Sequence, residues 1–165
     1  GAVPFGWYVN NDAKNSSENA LYAYQSGLGL PDRDYYLKDD EKFTKIRAAY
    51  QVYIADVLKR AGVEKADEDA KAIIALETSI ADAQWTRVES RDATKSYNKM
   101  SVSDASKLTG EFDLAEYFKA SGVNVQDIIV SQPSYFEKFA DIYKATDLAT
   151  WQQYLKFHLI QELFP

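Results

Sequence analysis

Glu77, Gln84 and Arg91 recur every seven residues along a stretch that is otherwise apolar at helical spacing. A helix turns about 100° per residue, so the three would share one stripe with Ile73, Leu76, Ile80, Ala81 and Val88. A carboxylate or guanidinium on a buried stripe is costly unless it is paired and hydrogen-bonded. Arg91 lies about 20 Å along the helix from Glu77, at roughly 1.5 Å per residue, too far to be its partner. Arg33 is therefore the expected partner of Glu77. A structural pair is preferred to a catalytic carboxylate of raised pKa.

His158, the one histidine, stands a helical turn from Glu162. Two ligands make a poor metal site, so the expectation is a core histidine beside Trp151 and Leu155. A zinc site of the H-E-x-x-H type needs two histidines and does not occur. No Gly-x-Ser-x-Gly elbow accompanies the serines, and Gly27-x-Gly29 lacks the third glycine of a dinucleotide loop. No catalytic, cofactor-binding or metal-ligating residue is assigned in this chain.

The stretch that must position Glu77 is Gly27-Leu28-Gly29-Leu30-Pro31-Asp32-Arg33-Asp34-Tyr35-Tyr36-Leu37. Glycines open backbone angles closed to other residues, and Pro31 holds Leu30 extended. It reads as a rigid elbow over 27–37. Before it, Phe5 to Val9 and Ala20 to Gln25 suggest a β-hairpin with a long polar loop over Asn10 to Asn19. A two-stranded hairpin is marginal alone, so segment 1–26 is expected to pair with a sheet of a larger protein.

After the elbow, segment 38–165 reads as an incomplete helical lobe. Asp39 or Asp40 caps a helix with Phe43, Ile46, Tyr50, Tyr53 and Val57 on its face, and a second helix runs from Asp67 to about Arg91. Short helices follow Ser101 or Ser103 and Asp113, a strand covers Asp127 to Val130, and helices begin at Pro133 and near Thr146. The last carries Leu148, Trp151, Leu155, His158 and Leu159 on one expected face. The fold class is mainly α, a bundle-like helical lobe with one β-hairpin near the N-terminus.

A chain of 165 residues with 46% hydrophobic content can bury a core. Its net charge of -6 argues against nucleic acid and against an anionic membrane surface. With no cysteine there is no disulfide framework. The start at Gly1-Ala2, without methionine, suggests a processed or excised piece.

Four ordered motifs carry a resemblance. The elbow, Asp12-Ala13-Lys14-Asn15-Ser16, Leu76-Glu77 leading through Arg91-Asp92 to Tyr97-Asn98-Lys99-Met100, and Ile129-Val130-x-x-Pro133-x-Tyr135 together resemble the amino-terminal half of the neprilysin-like zinc metallopeptidases, the family of neprilysin and endothelin-converting enzyme. The resemblance covers residues 5 to 160 and leaves 161–165 outside the pattern.

It implies a two-lobed peptidase whose catalytic half, together with peptide substrates, partners this segment and supplies the zinc and the general base. The chain itself would hold no zinc and hydrolyse nothing, since the family's H-E-x-x-H and Asn-Ala-x-Tyr motifs are both missing. The alternative is a stand-alone helical interaction module without activity. The resemblance favours a secreted, periplasmic or ectoenzyme setting and is also compatible with a bacterial cytoplasm.

Overall fold

The computed structural model describes residues 3–164. Its elements in chain order are β1 (Phe5–Asp12), β2 (Asn15–Gln25), α1 (Asp34–Leu37), α2 (Glu41–Arg60), α3 (Ala66–Ala83), α4 (Arg87–Ser90), β3 (Lys99–Ser101), α5 (Val102–Leu108), α6 (Leu114–Ala120), β4 (Asp127–Val130), α7 (Pro133–Ala145) and α8 (Leu148–Leu163). The fold is mainly α with a small sheet. Contacts gather into two compact units: one holds residues 3–4, 27–82 and 145–164, the other Phe5–Ser26 and Ala83–Lys144.

In the strand-bearing unit the sheet runs in the order β1-β2-β4-β3. β1 and β2 are antiparallel from Phe5↔Gln25 to Asp12↔Asn15, β2 is parallel to β4 through Tyr22↔Ile129 and Ala23↔Val130, and β3 closes the other edge antiparallel to β4. On its β2 side the hairpin thus finds a partner within this chain. The long loop expected over Asn10 to Asn19 is instead strand almost to its tip. Polar side chains are tolerated there because the ribbon is exposed over most of that length.

Phe5 anchors this unit's core. Its ring lies 4.6 Å from Phe136 and 4.7 Å from Phe139, centroid to centroid, with Phe112, Tyr117 and Tyr135 around it. Edge-to-face and tilted contacts of this kind add to the burial of large apolar rings.

In the helical unit, Tyr50, Ile54, Ala55 and Leu58 of α2 are buried, as are Trp151, Tyr154, Phe157 and His158 of α8. Phe157 makes T-shaped contacts with Tyr50 and Tyr53 of α2 at 6.1 and 6.0 Å. The face expected on α8 is split in two. Trp151 and His158 turn inward, while Leu148, Leu155 and Leu159 are exposed.

α3 also ends earlier than its spacing suggests, at Ala83 rather than near Arg91. The cause is local. The Gln25 side chain accepts from the Trp85 N–H at 2.8 Å and donates to the Trp85 carbonyl at 3.0 Å, taking up groups that a continuing helix would use. Thr86 then caps α4 in a reciprocal box with Glu89, so a fresh turn starts. Arg91 is consequently exposed, and Gln84 donates to the Ser26 carbonyl at 2.9 Å.

Candidate functional site

Glu77 is fully buried (0% exposed), as its place on the apolar stripe of α3 requires. Its partner is not Arg33. Arg33 is half-buried, and its Nε donates to the Ala81 carbonyl at 3.3 Å. The carboxylate instead collects donors from four other groups. Its Oε1 accepts from the Gly29 N–H at 2.9 Å and the Tyr36 hydroxyl at 2.6 Å. The Tyr50 hydroxyl lies 2.9 and 3.0 Å from Oε1 and Oε2, sharing its proton between them. His158 Nε2 sits 2.9 Å from Oε2. A carboxylate has no proton to give, so Nε2 carries the hydrogen and donates.

The donors come from the elbow, whose last turn is α1, and from α2 and α8, so one carboxylate ties three segments to α3. The Tyr36 hydroxyl also accepts from the Leu30 N–H at 2.9 Å, which fixes the elbow a second time. Burial, followed by the negative charge of Glu77, pushes both tyrosine hydroxyls well above the ordinary tyrosine range. Both therefore stay protonated and donating.

The elbow's glycines have separate jobs. Gly29 brings its backbone so close that a Cβ there would overlap the Tyr50 hydroxyl and lie 3.2 Å from Glu77 Oε1. Gly27 adopts φ +100, a left-handed backbone suited to glycine, and its carbonyl accepts from the Tyr154 hydroxyl at 2.7 Å.

A second buried carboxylate, Asp12, organises the other unit. It accepts from the Lys14 N–H at 2.9 Å, the Tyr97 hydroxyl at 2.7 Å and Lys99 Nζ at 3.0 Å. These donors, led by the backbone N–H of Lys14, hold its carboxyl down at about 2. Lys14 Nζ lies over the Tyr97 ring at 4.6 Å. Two motifs 85 residues apart in sequence are thus one cluster in space.

The third motif joins them through backbone. The Asn98 side chain donates to the Val130 carbonyl at 3.1 Å, and the Asn98 carbonyl accepts from the Val130 N–H at 2.9 Å. Pro133 opens α7, and the buried Tyr135 donates to the Ser26 carbonyl at 3.3 Å.

Chemically, both clusters hold shape. Glu77 has no face open to a substrate, and both its oxygens are taken up by neighbouring donors. His158 is 4% exposed and aimed at Glu77, whereas Glu162 is exposed, so the pair spaced one turn apart does not converge. Among the described residues no group of three or more His, Cys, Asp or Glu is placed to hold a metal ion, and His158 with Glu77 does not fit a zinc ligand set. No helix among them is long and apolar enough to cross a membrane.

Sequence reasoning found Glu77 but missed Tyr36, Tyr50 and His158 as its partners. For Tyr50 and His158 the available signal was a polar tip on an expected helix face, which does not name its partner; Tyr36, in the elbow, carried no such spacing.

Comparison with known proteins places this arrangement. The family model described as Peptidase family M13 matches residues 1–165, and the chain belongs to that family. It is 26% identical over 165 residues to endothelin-converting enzyme-like 1 of Mus musculus, covering 96% of this chain and 21% of that protein. Against endothelin-converting enzyme 1 of Homo sapiens it is 29% identical over 168 residues, covering 96% of this chain and 21% of that protein. The crystal structure of Mycobacterium tuberculosis zinc metalloprotease Zmp1 with an inhibitor superposes with a TM-score of 0.87 at 31% identity, over 95% of this chain and 24% of that one. The chain spans about a fifth to a quarter of the length of these relatives.

Proposed function

We propose that these residues are a non-catalytic wall segment from the amino-terminal half of a zinc metalloendopeptidase that cleaves peptides. The catalytic half of the same polypeptide is its partner and supplies both the zinc and the group that activates water. This segment supplies shape, through an elbow held by Glu77 and a sheet held by Asp12, as part of a wall that restricts entry to peptides and unfolded segments. The observation that carries the reading is that the one histidine is spent inside the core, on Glu77, in a chain of a zinc peptidase family.

The test compares peptide hydrolysis, with added zinc, by residues 1–165 alone and by a polypeptide of the relatives' length that contains them. Turnover is expected from the longer protein only. Zinc-dependent cleavage by the isolated chain, or an inert longer protein, would overturn the reading.

A further inference from the structure

α8 is apolar on two opposite sides. Trp151, Tyr154, Phe157 and His158 are buried on one. Leu148 (72% exposed), Leu155 (44%), Leu159 (55%) and Leu163 (64%) occupy the other. At about 100° per residue these four leucines fall within roughly 80° of one another, facing away from the buried set. Their spacing of seven, four and four residues makes a continuous ridge about 22 Å long at roughly 1.5 Å per residue. Helices carrying apolar residues on both sides are interior helices, packed between layers. Soluble proteins rarely leave so continuous an apolar strip to water.

We propose that this leucine ridge seats an α-helix from the same polypeptide, lying outside residues 1–165. The claim rests on the reading above in one respect, that a longer polypeptide carries this segment. Three observations select the occupant. The matched length is 21% and 24% of two of the relatives, so most of such a protein lies elsewhere. The ridge has the i, i+4 and i, i+7 rhythm that interdigitates with another helix at a shallow crossing angle. A lipid surface fits poorly, because Lys156 is the one lysine or arginine of α8 and the chain carries a net charge of -6.

The absence of cysteine from the chain makes the test direct. Leu155→Cys and Leu159→Cys are prepared singly, with Glu68→Cys on the exposed side of α3 as the reference, in residues 1–165 and in the longer polypeptide. Alkylation of each site is followed by peptide mass spectrometry. In the short chain all three sites should react at similar rates. In the longer protein the two ridge sites should slow by about a hundredfold or more, as protection follows the free energy of opening, while Glu68→Cys keeps its rate.

Equal rates in both proteins would overturn the proposal. So would concentration-dependent protection already present in the short chain, which would assign the ridge to a second copy. Peptidase activity of the same longer protein is scored separately. Protection without activity refutes the proposed function and leaves the ridge helix standing, and activity without protection does the reverse.

Discussion

At the scale of residues, the fold of the helical unit turns on one buried carboxylate, Glu77. Glu77 accepts from four donors in a buried interior, where bonds to a charged acceptor are worth more than bonds between neutral groups. Glu77→Gln keeps the volume but turns an amide toward N–H and O–H groups, and should destabilise the chain by about 3 kcal/mol in urea unfolding. Arg33→Ala removes one long hydrogen bond at a half-buried site and should cost about 1 kcal/mol or less. The reverse order would mean that Arg33, not the tyrosines and His158, satisfies the carboxylate.

Gly29→Ala tests the same geometry from the elbow. Its methyl group would overlap the Tyr50 hydroxyl, at a cost of about 2 kcal/mol, and adding Tyr50→Phe should return part of that loss in a double-mutant cycle. Strict additivity would refute the contact. Tyr36 and Tyr50 also set an alkaline limit. Their folded pKa values are raised, so their contribution is complete below the unfolded value near 10 and is lost as pH rises above it. The double variant Tyr36→Phe/Tyr50→Phe should therefore lose less stability than the parent sequence between about pH 10 and 11.

At the scale of elements, Asp12 sets the acid limit of the sheet. Its folded pKa is depressed to about 2, so its contribution is full above the unfolded value near 4 and disappears as pH falls toward 2. Tyr97→Phe should raise the pH at which the hairpin loses amide protection in acid, and an unchanged profile would remove Asp12 from that role.

Which elements were legible follows from how local their causes are. α2, β4 and the helix begun by Pro133 stand where spacing puts them, because each is dictated by its own apolar period or punctuation. The burial of Glu77 was legible for the same reason. Its partners were not, since a tyrosine on a core face looks like any other aromatic until segments distant in sequence bring its hydroxyl to a carboxylate.

The end of α3 was missed because the Gln25 side chain, 60 residues from Trp85, competes for its backbone. The outward side of α8 was missed because spacing marks which residues are apolar. It does not say which of two apolar sides the same unit covers. Thr86-x-x-Glu89 was a readable cap that the longer apolar period concealed.

At the scale of the whole molecule, membership of Peptidase family M13 and the interior use of the one histidine support the proposal of a segment that contributes shape and no zinc ligand. Metal content tests that most directly. Residues 1–165 are dialysed to equilibrium against zinc, and the bound metal is counted per chain. The account predicts no stoichiometric zinc and the same result for His158→Ala. One zinc per chain, abolished by His158→Ala, would contradict it.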